Sequence, residues 1–180
     1  MAGGGVLSLP WSVPLKLSEV DRGPVELRLQ PDDAARVRIA AAIGVDSLDR
    51  LTAELTARTW LDGAELSGRI DAEVTQTCGI SLDAFKTPIR SNFTIRVLPP
   101  GSPHAPSDPE ELVIDPEGED PPELLDSETV DVGVYVVEYL LLEVDPFPRK
   151  PGAVFEPPEA PAAISPFAKL AELKTRGSGN

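Results

Sequence analysis

Arg50-Leu51-Thr52-Ala53-Glu54-Leu55-Thr56-Ala57-Arg58-Thr59-Trp60-Leu61 opens the stretch, running on to Leu98, whose reading decides the fold. Its odd positions are Leu51, Ala53, Leu55, Ala57, Thr59 and Leu61, and its even positions are Thr52, Glu54, Thr56, Arg58 and Trp60. Alternation with period two predicts a strand with one buried face. Asp62-Gly63 offers a tight turn, with Gly63 as the residue that tolerates φ > 0. Beyond it, Ile70, Ala72, Val74 and Cys78 share one face, interrupted by the polar Gln76, and Arg69, Asp71, Glu73, Thr75 and Thr77 share the other. A turn around Gly79–Asp83 leads into a third alternating run. Phe85, Ile89, Phe93, Ile95 and Val97 point inward there, and Lys86, Arg90, Asn92, Thr94 and Arg96 point outward. Three consecutive strands with short turns predict an antiparallel meander that needs a cover over its apolar face.

The chain has 180 residues, 41% of them apolar, enough for one domain with a sizeable core. Twenty prolines are too many for tight packing throughout, so part of the chain should be linker. A single cysteine excludes an internal disulfide and an all-cysteine metal site, and fits a reducing, cytoplasmic setting. No apolar run approaches the length that spans a bilayer, and Met1–Leu17, without a basic start and broken by Pro10 and Pro14, does not read as a signal peptide.

The net charge of −14 is unevenly placed. No Lys or Arg lies between Arg96 and Arg149, an interval that holds 14 acidic residues from Asp108 to Asp145. The rest of the chain balances 16 acids against 16 bases. Such a block repels phosphate backbones and attracts a basic protein surface.

In chain order, Trp11, Val13, Leu15 and Leu17, then Val25, Leu27 and Leu29, alternate with polar residues or prolines and predict two short strands joined by a loop, with Pro14 and Pro24 favouring edges or strand starts. Asp32 can cap a helix over Asp33–Ile43 that Gly44 ends. Val37, Ala40, Ala41 and Gly44 make one stripe of it and Ile39 and Ile43 another, which predicts burial on more than one side. Pro99–Ser127 reads as an acidic loop with a short apolar contact at Leu112–Ile114. Thr129–Val144 has the valines of a strand and the length of a helix; the spacing of Val130, Val134, Val137 and Leu141 predicts a helix able to lie over the meander. Asp145-Pro146-Phe147-Pro148-Arg149 must leave that helix.

The predicted organisation is therefore α+β. A flexible start (residues 1–10) precedes a domain over residues 11–150, built on a mostly antiparallel sheet or partly closed barrel with two covering helices and an acidic loop at 99–128. A Pro-rich linker (151–164), a short helical motif (165–174) and a disordered end (175–180) follow. In the motif, Ser165 and Pro166 start a helix carrying Phe167, Leu170, Ala171 and Leu173.

Three stretches together resemble the YceD family of bacterial proteins, in a form like that of alphaproteobacterial members. The first is Val74-Thr75-Gln76-Thr77-Cys78-Gly79-Ile80-Ser81-Leu82-Asp83-Ala84-Phe85. The second joins Thr129-Val130-Asp131-Val132-Gly133, Glu138-Tyr139-Leu140-Leu141-Leu142 and Asp145-Pro146-Phe147-Pro148-Arg149. The third is Ser165-Pro166-Phe167-Ala168-Lys169-Leu170-Ala171-Glu172-Leu173-Lys174. The resemblance implies a role in accumulation of large-subunit ribosomal RNA through ribosome assembly, and supplies no catalytic mechanism. Many members carry Cys-x-x-Cys at the turn; here the second position is Ser81, a poor zinc ligand, so no metal or redox pair is carried over.

Two candidate surfaces follow. The acidic block, with Asp108, Glu110, Glu111, Asp115, Glu117, Glu119 and Asp120, either imitates RNA to a basic ribosomal protein or assembly intermediate or serves as a solubilising loop. The tail residues Phe167, Leu170 and Leu173 either dock on their own domain or are read by a partner. Against these stands direct RNA contact through Arg69, Lys86, Arg90 and Arg96 on the outer strand face, with Trp60 as a stacking surface. Cys78, on the inward face without a nearby histidine, reads as a packed thiol, and His104, the only histidine, as a solvated loop residue. No catalytic constellation, cofactor or metal is expected, and neither DNA nor a membrane is an expected partner.

Overall fold

The computed structural model describes residues 9–105 and 120–155. Its elements run β1 (Pro14–Lys16), α1 (Leu17–Val20), β2 (Val25–Leu29), α2 (Asp33–Ile43), β3 (Ser47–Trp60), β4 (Gly63–Thr77), β5 (Ala84–Leu98), β6 (Glu123–Leu124), β7 (Thr129–Asp131) and α3 (Val132–Glu143). The architecture is α+β. The main sheet has the order β2-β3-β4-β5-β6 and is antiparallel except for its last pair, while β1 and β7 form a separate antiparallel pair.

The meander is present as its alternation requires. Leu51, Ala53, Leu55 and Ala57 of β3, Leu66, Ile70, Ala72 and Val74 of β4, and Ile89, Phe93, Ile95 and Val97 of β5 are buried on one face. In register, Leu55 faces Gly68 and Gly68 faces Phe93. A side chain at Gly68 would collide with the Phe93 ring, so the glycine vacates the space that the ring fills. Phe93 then stacks on Tyr139 of α3, with centroids 4.6 Å apart and planes 14° from parallel. Gly63 differs from its expected role. The left-handed residue of the β3–β4 turn is Leu61, with φ 53°, and Gly63 is needed because a Cβ there would overlap the Val97 carbonyl on β5.

The sheet is open, which corrects the partly closed barrel. Closure requires the last strand to pair with the first. Here β2 has five residues, β6 has two, and they stand at opposite ends. The inner face is covered instead by α2, which packs on β3, and by α3, which crosses β4 and β5. The extra turn of helix α1 replaces part of the loop expected between β1 and β2, and sends those two strands to different sheets.

α2 has the expected bounds. The Asp32 carboxylate accepts the Ala35 N–H at 2.7 Å, and Gly44 ends the helix at φ 73°. It buries one stripe only, Ala35, Ile39, Ala40 and Ile43, while Val37 is 69% exposed. The run from Thr129 divides into β7 and α3. Because the helix starts at Val132, its inward face is Val132, Tyr135, Val136, Val137 and Leu140; of the predicted spacing Val130 and Val137 are buried, while Val134 and Leu141 are turned away from the core. Gln76, the polar interruption of β4, donates its side-chain amide to the Asp145 carbonyl at 3.0 Å and so ties β4 to the exit of α3. The acidic loop contains an unpredicted strand, β6, whose parallel pairing sets Val97 opposite Glu123. The apolar contact at Leu112–Ile114, the linker from residue 156 and the helical motif at 165–174 lie outside the described residues.

Asp131 fixes where α3 begins. Its carboxylate accepts the Gly133 N–H at 3.1 Å, the Val13 N–H at 2.8 Å and the Ser12 hydroxyl. One side chain thus caps the covering helix and holds the segment leading into β1. Asp131→Ala is expected to lower unfolding free energy by about 2–3 kcal/mol, from a lost cap and an unpaired Val13 N–H. Urea denaturation measures it; a loss under about 0.5 kcal/mol would remove Asp131 from this role.

Candidate functional site

The outer face of the meander brings the sequence-predicted cations together with carboxylates from adjacent strands. Lys86 Nζ lies 3.0 Å from Glu73 and 3.2 Å from Asp49. Arg90 Nε is 3.4 Å from Asp71, which also pairs with Arg50. Arg96 Nε is 3.0 Å from Glu65, and its guanidinium stands 5.0 Å from the centre of the Trp60 ring. Arg69 is exposed and forms no ion pair among the described residues, although Glu54 faces it in register. The hydrogen bonds that Lys86 donates to Glu73 and then to Asp49 hold it above its usual range. The Arg50 guanidinium holds Asp71 below the usual carboxylate range, and the Thr75 hydroxyl does the same for Asp49. Asp49 reaches this face through a bulge between Leu48 and Arg50, a feature that alternation in the sequence does not reveal.

The acidic interval rejoins the fold along the β5 edge, next to Arg96 of the strand face. Asp120, Glu123, Arg96 and Tyr139 line an open groove of about 590 Å³. Tyr135 donates its hydroxyl to Glu123 at 2.8 Å. Burial, reinforced by the Glu123 charge, pushes Tyr135 and Tyr139 above the usual phenol range and raises Glu138. Asp120 is exposed at this groove; Asp108, Glu110, Glu111, Asp115, Glu117 and Glu119, like Phe167, Leu170 and Leu173, lie outside the described residues. Asp131, at the end of the acidic block, is instead consumed by the cap of α3.

Cys78 is fully buried but stands apart from the main apolar cluster. Its sulfur accepts backbone N–H groups from Ile80 and Ser81 at 3.4 Å each and from Lys150 at 3.3 Å. Gly79 donates to the Pro148 carbonyl at 2.9 Å, and Lys150 Nζ reaches Asp83 at 3.0 Å. The turn thus clamps the chain leaving α3. The N–H of Ser81, then its hydroxyl and the N–H of Lys150, pull the thiol down to about 6 against the opposing effect of burial. His104 is exposed beside Ser102, whose hydroxyl oxygen accepts the His104 N–H at 3.1 Å. Among the described residues no group of three or more His, Cys, Asp or Glu could hold a metal, and no helix is long and apolar enough to cross a membrane.

A thiol whose pKa falls on folding stabilises the fold fully above its unfolded pKa, near 8.5, and loses that contribution as pH falls through its folded value. With a folded value of about 6, the stability gap between wild type and Cys78→Ser should widen as pH rises from 6 toward 9. Thermal denaturation of both proteins across that range reads the gap; a constant difference would show that the sulfur keeps its proton.

Residues 66–174 match the family model described as large ribosomal RNA subunit accumulation protein YceD. No curated protein and no solved structure matches the chain. The matched span runs from within β4 through the Cys78 turn, the acidic interval and α3 to the tail motif. The chain therefore belongs to the YceD family, whose description assigns it to accumulation of large-subunit ribosomal RNA.

Proposed function

We propose that this chain is a non-enzymatic factor in large-subunit ribosome assembly that binds a basic ribosomal protein or an assembly intermediate through its acidic interval. The observation that carries this reading is the contrast between the two charged surfaces. On the strand face, Lys86, Arg90 and Arg96 each already face a carboxylate of the neighbouring strand. A protein that holds nucleic acid tightly neutralises several phosphates with cations, roughly 6–10 in strong cases. A face whose cations are matched by Glu65, Asp71, Glu73 and Asp49 has little net charge to offer. At the other surface, carboxylates outnumber cations throughout the stretch between Arg96 and Arg149. Glu123 of this stretch meets the fold at Tyr135, whose hydroxyl it accepts at 2.8 Å. A basic partner would be attracted there over roughly a Debye length, about 8 Å at physiological salt.

The test replaces Asp108, Glu110, Glu111, Asp115, Glu117, Glu119 and Asp120 by their amides and leaves Glu123 and Asp131 in place, since both support the fold. Binding to purified basic ribosomal proteins is expected to weaken at least about tenfold and to lose most of its salt dependence. Unchanged binding would reject the charge mechanism. Titration with ribosomal RNA, using wild type and a Lys86→Ala, Arg90→Ala, Arg96→Ala variant, examines the competing reading; tight, salt-sensitive binding lost in the variant would establish it instead.

A further inference from the structure

The ends of α2, β4 and α3 enclose an open groove of about 660 Å³, lined by Ile43, Val45, Gln76, Leu142, Val144 and Pro148 among others. Its apolar wall is exposed. Leu142 is 77% exposed, and Phe147, between the lining residues Pro146 and Pro148, is 79% exposed. Neither side chain belongs to the core, and clustered exposed apolar residues of this size mark a contact surface.

We propose that the groove is the docking site of the chain's own segment Ser165–Lys174. The proposal is independent of how the acidic interval is used. Chain length permits it. The described chain ends at Phe155, five residues after Lys150, whose N–H is bonded to Cys78 beside the groove residue Thr77. Nine residues separate Phe155 from Ser165, several of them proline, and nine residues in extended polyproline form reach about 28 Å. Composition fits it. Phe167, Leu170, Ala171 and Leu173 share one face if the segment is helical, a form that Ser165 and Pro166 favour as cap and first residue. Charge fits it as well: Lys169 and Arg176 border that apolar face beside Leu173, and the groove carries Asp46 and Asp145. A short tether raises the effective concentration of such a segment to the order of millimolar, so a contact with a dissociation constant of about 0.1 mM would be filled roughly ten to one.

Amide hydrogen exchange on the full chain tests the docking. Wild-type Phe167–Lys174 is expected to exchange about tenfold more slowly than in Leu142→Lys, a substitution at an exposed position that leaves the core intact. Leu170→Asp is expected to speed exchange in the same segment and to increase exposure around Leu141–Phe147. The protection should be the same at about 5 and about 200 μM protein, since the contact is within one chain. Absence of protection in the wild type, or protection indifferent to Leu142→Lys, would overturn the proposal. Protection that grows with concentration would assign the groove to the tail of a second copy and overturn it too.

Discussion

The apolar face of the meander is the constraint on which the rest of the molecule depends. Three strands of 14 or 15 residues each present a continuous hydrophobic surface that three strands alone cannot remove from water. α3 is the principal cover, and its placement is over-determined at both ends and in the middle. Asp131 caps its start, Tyr139 stacks on Phe93 along its length, and Gln76 holds its exit. Each buried Val or Leu contributes about 1.5–3 kcal/mol, so a helix carrying Val132, Val136 and Leu140 inward is strongly bound to the sheet. The polar contacts add little net energy by comparison, yet they select one position for the helix among several that would bury similar area.

That arrangement separates the charges. With the inner face occupied by α2 and α3, all strand charges go to the outer face, where alternating strands place cation beside carboxylate. Exposed pairs of this kind contribute at most about 1 kcal/mol each, so stability does not account for them. Their effect is to make a face that is dense in charge and close to neutral. The net charge of the molecule is then carried by the cation-free stretch from Arg96 to Arg149, with 11 of its 14 acids between β5 and α3.

The elements that depend on neighbours in sequence were legible: the period-two strands, the Asp32 and Gly44 caps of α2, and the exit of α3 at Pro146. Those that depend on distant contacts were not. The phase of α3 is set by Asp131 reaching Val13 across 118 residues, and no local spacing of valines encodes that. Gly63 and Gly68 are glycines because of β5, which their own turn and strand do not show. β6 is two residues long and has no pattern to detect. At the candidate sites, the four cations and their general surroundings could be read from parity, because Asp71 and Glu73 share their face. The bulge that adds Asp49 to Lys86 could not, since a bulge breaks the parity on which the reading rests.

The motifs that carry the family resemblance sort into two kinds once the fold is known. Asp131 and Gly133 are fixed by geometry: a Cβ at Gly133 would stand 3.0 Å from the Val13 nitrogen and 3.1 Å from the Trp11 carbonyl. Cys78 holds the chain at Lys150, and Leu140 is in the core. These residues are explained by folding and need no partner. Leu142 and Phe147 belong to the same stretches but leave their side chains in solvent, where a polar residue would serve the fold equally well. Leu142 and Phe147 flank the groove beside the Cys78 turn, where an apolar segment laid into it would take them out of water, at an end of the molecule separate from the groove of Asp120 and Tyr139.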